Sequence, residues 1–294
     1  MRLRRAILYV PGDNLEKIQQ AAATGADSIC LDLEDSVAEN RKQEARETVA
    51  HALKSLDFGR SERLVRINRV DSEMAQADLS AILPALPNGI MIPSVESATQ
   101  IQWVSRQVSD IEQKYDWLPN SMVLLALVET AKAIIRLSEI GDSDPHLVAL
   151  ALGAEDLAAD LGAERTPSSM EMMYVRSAIV LHAAAFRIQA IDMSNSNFRD
   201  LDALREEACQ GRALGFVGKQ IIHPDQVVTV QEAFTPDVKA VTDARDLVEA
   251  YQEQEKQGVG MFERDGQVVN GRVVRSAESL LSRLRDVQNE KKET

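Results

Sequence analysis

Two carboxylates stand out by what precedes them. Glu129 follows Val123–Val128, a run of nearly pure hydrocarbon, and Asp156 follows Val148–Leu152 and a turn-permitting Gly153. One acid at the end of each apolar run, brought together by folding, suits a hard divalent cation. Magnesium commonly takes one or two carboxylates and completes its shell with water and substrate oxygens. Either acid alone could equally cap the helix that follows it, where negative charge meets the positive end. A second group is the run LDLED, in which Asp32 alternates with Leu31 and Leu33 while Glu34 and Asp35 stand at the exit. Acids so crowded raise one another's energy unless a cation compensates. Arg66, between Val65 and Ile67, is the obvious compensator, and a plain structural ion pair would account for that much. A third group is GFVGKQIIHP, which holds Gly218, Lys219, His223 and Pro224. Histidine before proline at a strand end reads as a hydrogen-bonded structural group rather than a general base.

These residues need elements to place them. Short apolar runs recur at Ala6–Val10, Ser28–Leu33, Leu64–Asn68, Gly89–Pro93, Met122–Val128, Leu147–Leu152, Ala190–Met193 and Phe216–Ile222. Between them lie segments long enough for helices: Asn14–Ala23, Asn40–Leu56, Met74–Leu83, Ser97–Val108, Thr130–Glu139, Met170–Phe186 and Phe198–Leu214. Strands alternating with helical crossovers form a mostly parallel sheet, and eight of them are the arithmetic of an α/β TIM barrel, (β/α)8. An open doubly wound sheet fits part of the same pattern. In a barrel, the strand-end polar residues face one site. The expected division is a barrel over residues 1–226 and a C-terminal helical extension over 227–294. In that extension Val238–Gln254 has a helical pattern and Gln257–Gly271 is turn-prone and flexible. Val273, Val274, Ala277, Leu280, Leu281 and Leu284 mark one face of a last helix.

Composition narrows the function. Charged residues make up 27% and hydrophobic ones 45%, ordinary for a soluble enzyme. A net charge of -13 opposes binding to nucleic acid or anionic membranes, which need a positive field. An anionic substrate would need local cations, for which Arg66, Arg69 and Lys219 are candidates. Cys30 and Cys209 lack a C-x-x-C partner and read as buried thiols. The start MRLRRAILYVPGD has too short an apolar run for a signal peptide or span, so the expected location is cytoplasmic.

In order along the chain, LYVPGDN, GADSICLDLEDSV, RLVRINR, MIPSVES, ALVET, ALGAEDLAADLG, FRDLDALREEA and ALGFVGKQIIHP resemble the citrate lyase beta subunit-like group of the HpcH/HpaI aldolase superfamily. That group includes malyl-CoA and citramalyl-CoA lyases. The resemblance runs from about residue 4 to 226, with a weaker echo to about 285. It implies Mg2+ (or Mn2+) on Glu129 and Asp156, with Glu129 and Arg66 at the substrate and Arg66 near the reacting carbonyl. It further implies that Glu34 and Asp35 organise the metal's water ligands and Arg66. Lys219 is the candidate contact to CoA. The implied partners are a small acyl-CoA and a 2-oxo acid, and the implied oligomer is a trimer or hexamer. Because Gln257–Gly271 is flexible and the following helix has an apolar face, the last forty residues are expected to reach over a neighbouring barrel's mouth in a homo-oligomer.

Two positions depart from the group's pattern. The lysine of its usual P-K-V-E is here Ser94, which removes a positive group near the mouth. The C-terminal motif, roughly D-G-x-M-(V/I)-D-x-P, here runs from Asp265 to Arg272, so Asn270 stands where the proton-exchanging acid is expected. An amide cannot serve as a general acid or general base near neutral pH. On the resemblance, carbon–carbon lyase activity is nonetheless the main reading. A thioesterase on the same site, a citrate lyase beta subunit acting on an acyl-carrier-protein thioester, and a non-catalytic acyl-CoA binder stay open beside it.

Overall fold

A computed structural model describes residues 2–292; the side chains of residue 279 and of 283 onward, Leu284 among them, lie outside the described part. Eight strands close into one parallel barrel in chain order. They are β1 Ala6–Pro11, β2 Ser28–Asp32, β3 Glu62–Arg66, β4 Gly89–Ile92, β5 Val123–Val128, β6 Leu147–Leu152, β7 Gln189–Asp192 and β8 Gly218–Ile221. The expected runs are these strands to within a few residues. Closure is made by β1 against β8, where Ala6 pairs with Lys219.

The barrel helices are α1 Leu15–Ala22, α2 Lys42–Ser55, α3 Met74–Ile82, α4 Ala98–Lys114, α5 Ala131–Ile135, α6 Leu137–Gly141, α7 Ala154–Leu161, α8 Met173–Phe186, α9 Leu201–Leu214 and α10 Gln226–Phe234. The single helix expected over Thr130–Glu139 is two short ones meeting at Arg136. Helices α7 and α10 were not in the expected set. The first begins directly after the Gly153 turn and is stopped by Gly162 at φ +65°. Among the described residues no helix is long and apolar enough to cross a membrane.

Alternation along each strand sends Ile7, Cys30, Leu64, Met91, Leu125, Leu127, Ala149, Ala151 and Ile191 into one buried core inside the barrel. Its amino-terminal end carries buried ion pairs. The Arg4 guanidinium donates to both Glu62 oxygens and to Gln189, and Arg5 donates to Asp27. Cys30 is fully buried, as expected, whereas Cys209 is half-buried.

The compact barrel unit runs from Arg4 to Gln231, and among the described residues 2–3 and 232–292 form a second unit. The second unit contains α11 Val238–Lys256, a hairpin of β9 Met261–Arg264 and β10 Gln267–Asn270, and α12 Gly271–Lys292. The segment expected to be a flexible turn region is thus an antiparallel ladder. Asp265 at φ +52° and Gly266 at φ +79° supply the two left-handed positions that a tight hairpin turn needs.

Candidate active site

Three inward-facing series end in a charged residue. In β5 the series Leu125, Leu127 leads to Glu129. Likewise Leu64 leads to Arg66 in β3, and Cys30 to Asp32 in β2. Period-two geometry therefore aims these side chains at the carboxyl-end mouth. There a cavity of about 410 Å³ is lined by Tyr9, Asp32, Asp35, Arg66, Glu129 and Asp156, together with Gly153, Ser194 and Gln220. All of its lining residues belong to the barrel unit.

Arg66 is held as a planar fork. Its Nε and Nη2 each donate to one Asp32 oxygen at 2.7 Å. Its Nη1 lies 3.0 Å from Glu34 and 3.3 Å from Asp35, and its guanidinium carbon sits 5.2 Å above the Tyr9 ring centre. Burial opposes ionisation of Asp32, but hydrogen bonds from Arg66, Ser36 and the Glu34 amide win, and its carboxyl stays below the usual range. Glu34 is pushed up to about 8, first by burial, which outweighs Arg66, and then by Asp35, Glu129 and Asp32.

Glu129 is buried, and its Oε1 accepts from both the backbone N–H and the hydroxyl of Ser94 at 2.7 Å each. Burial lifts its carboxyl to about 6; Ser94 opposes the lift and the charge of Asp156 adds to it. Asp156, in the first turn of α7, is raised by burial and then by Asp35. Gly153 is required for space: a Cβ there would lie 2.5 Å from Glu129 Oε2. The mouth therefore concentrates negative charge around one guanidinium that Asp32 already holds. Among the described residues no group of three or more His, Cys, Asp or Glu side chains forms a metal cluster. Glu129 and Asp156 are a two-carboxylate, all-oxygen donor set, which fits a hard cation whose shell is otherwise water and substrate.

The structure thus brings Arg66, Glu34, Asp35, Glu129 and Asp156 together, and it adds residues that the strand-end reading passed over. Tyr9 donates its hydroxyl to Gln220 Oε1 at 2.9 Å, and Gln220 is fixed by donating to the Leu152 and Asp192 carbonyls. Both continue the inward alternation of β1 and β8, the signal that could have found them. Arg69, a candidate for binding an anion, is half exposed and paired with Asp71 at 3.1 Å. His223 stacks on Phe198 and accepts a hydrogen bond from the Asp225 amide.

Lys219 requires a correction. Because its neighbour Gln220 faces the cavity, Lys219 faces the opposite side of the barrel wall. It is fully buried there, with Nζ 3.1 Å from Glu207 and 3.9 Å from Asp192. Asp192 also binds Arg176 at 2.6 Å. A residue so enclosed cannot contact CoA. Lys219→Met is expected to destabilise the fold by about 2–4 kcal/mol, because it strands buried carboxylate charge. Denaturant unfolding checks this, and KM for an acyl-CoA substrate should not move.

Asn270 lies in the second unit, at the end of β10. Its Oδ1 accepts from the backbone N–H groups of Arg272 and Val273 at 2.9 and 3.3 Å, capping α12.

An eight-stranded barrel that gathers strand-end carboxylates and an anchored arginine at its carboxyl-end mouth is built as (β/α)8 enzymes are. The chain belongs to the HpcH/HpaI aldolase/citrate lyase family, whose model matches residues 5–224. It is 38% identical over 289 residues to the mitochondrial citramalyl-CoA lyase of Rattus norvegicus, covering 95% of this chain and 85% of that one. It is 34% identical over 285 residues to citrate lyase subunit beta of Haemophilus influenzae, covering 97% and 98%. The solved structure of CitE from Mycobacterium tuberculosis, in complex with magnesium, acetoacetate and coenzyme A, superposes with a TM-score of 0.80. It is 33% identical and covers 97% of this chain and 99% of that one.

Proposed function

We propose that this protein is a magnesium-dependent carbon–carbon lyase of aldol type. It cleaves or forms a 3-hydroxy-3-carboxyl acyl-CoA, such as malyl-CoA or citramalyl-CoA, giving an acyl-CoA and a 2-oxo acid. The observation that carries this reading is that Glu129, Asp156 and the anchored Arg66 line one cavity. Relatives named for citramalyl-CoA cleavage, and a neighbour that holds magnesium and coenzyme A, support it.

Glu129 and Asp156 would hold the ion. When bound, magnesium supplies Lewis acidity and a template for the substrate's hydroxyl and carboxylate oxygens. The hydroxyl proton passes to solvent water, the oxygen's electron pair forms the carbonyl of the 2-oxo acid as the C2–C3 bond breaks, and the pair from that bond passes to the thioester fragment as an enolate. Arg66 faces that cavity and stabilises the charge on oxygen. Asp32, Glu34 and Asp35 keep the guanidinium in place. The enolate must then be protonated at carbon.

Asn270 cannot supply that proton, and this favours a second reading, hydrolysis of the thioester on the same site, which needs no enolate protonation. Products separate the two. Incubation with Mg2+ and malyl-CoA, citramalyl-CoA or citryl-CoA, with trapping of 2-oxo acid, gives acyl-CoA plus 2-oxo acid for a lyase and free CoA for a thioesterase. Absence of both products overturns the proposal. Asn270→Asp preserves the helix cap, since aspartate caps as well as asparagine does. It is expected to raise lyase turnover and exchange of the acetyl-CoA methyl protons, by up to about 10²-fold. An unchanged rate and product ratio would show that residue 270 takes no part in proton transfer.

The protein is further proposed to act as a homo-oligomer, a trimer or a multiple of it. In support, Tyr174 and Leu181 share one face of α8 and are 76% and 68% exposed.

A further inference from the structure

Ser94 follows β4 and Pro93 with a backbone φ of +46°, a left-handed conformation that serine rarely adopts. The consequence is local: its N–H and its hydroxyl converge on the same carboxylate oxygen, Glu129 Oε1, at 2.7 Å each. Those two donors use both lone pairs of Oε1. On the other side, Glu129 lies against the bare Cα of Gly153, where a Cβ would come within 2.5 Å of Oε2 and 2.6 Å of the Glu129 Cβ. The carboxylate is therefore clamped between two turns, with one oxygen committed and one oxygen available.

We infer that Ser94 sets the ion preference of this site, because by occupying Oε1 it confines Glu129 to coordination through a single oxygen. The inference rests on the metal role proposed for Glu129 and Asp156. Magnesium and manganese accept a compact six-coordinate shell made of single carboxylate oxygens and water. Calcium takes six to eight oxygens and readily draws both oxygens of one carboxylate. A clamp that removes one oxygen disfavours the larger ion, and it holds the remaining oxygen in place for the smaller one. Ser94 is thus a positioning residue that acts through Glu129.

The test is Mn2+ binding to the intact protein, followed by electron paramagnetic resonance without substrate and competed with Mg2+ or Ca2+. In the native protein Mg2+ should displace Mn2+ at lower concentration than Ca2+ does. Ser94→Ala removes the hydroxyl and keeps the amide. It should weaken Mg2+ and Mn2+ about ten- to a hundredfold, the range expected for one hydrogen bond to a charged group, and narrow the Mg2+ to Ca2+ preference by a similar factor. Ser94→Gly also removes the hydroxyl, but it suits the positive φ, so it separates the clamp from backbone strain and remains testable if the alanine variant does not fold. Both variants should shift the preference in the same direction. Either one folded, with the native Mg2+ to Ca2+ ratio, overturns the inference. Mn2+ binding that survives Glu129→Gln/Asp156→Asn overturns the metal reading beneath it instead.

Discussion

A Glu129→Gln/Asp156→Asn double variant is expected to lose about 10³-fold or more in kcat/KM while remaining folded, and excess chelator should do the same to the native protein. The magnitude follows from losing a Lewis acid that contributes several kcal/mol of charge stabilisation. Both substitutions are nearly isosteric and relieve carboxylate crowding, so stability should hold or rise. The same site predicts a pH dependence. Burial raises the Glu129 carboxyl to about 6, with Ser94 opposing and Asp156 adding to the shift. A protonated carboxyl does not bind a cation, so Mn2+ affinity should be full well above pH 6, about half its full value near pH 6, and lower still as pH drops further. Full activity in chelator, or Mn2+ binding that is flat between pH 5 and 7, would overturn the assignment.

Arg66→Lys is expected to lower kcat/KM by about 10²–10³-fold, the usual cost of removing a preorganised charge-stabilising donor. The native guanidinium spans both Asp32 oxygens, faces Glu34 and Asp35 and still lines the cavity. An ammonium keeps the charge but cannot divide itself in this way. Near-native kcat/KM in the folded variant would reduce Arg66 to a structural ion pair.

The carboxylates at Glu129 and Asp156 were legible because a charged residue ending a hydrocarbon run has few reasons to be there. Arg66 was legible through its apolar neighbours and the acids that needed it. Lys219 was misread because both faces of β8 are buried, so composition does not say which one the ammonium enters. Counting alternate residues back from Gln220 would have decided it. The role of Ser94 depends on one positive φ and on a partner from the next strand, and neither is encoded by a nearby spacing. Its sequence reading, as a lost positive charge, saw what was missing and not what the hydroxyl does. In the second unit, the Asp265-Gly266 pair between short apolar runs was a hairpin signal that the glycine content obscured.

Ring closure through Ala6 and Lys219 has a kinetic consequence. It joins the two ends of the barrel sequence, a contact of very high order whose loop entropy is lost before the pairing repays it, and such contacts form late. Arg66 comes from the first half of the ring and Glu129 and Asp156 from the second. A chain arrested before closure would hold neither half against the other, so a ligand that needs both sides binds only the finished ring. By mass action, such a ligand draws the population through the last step of folding.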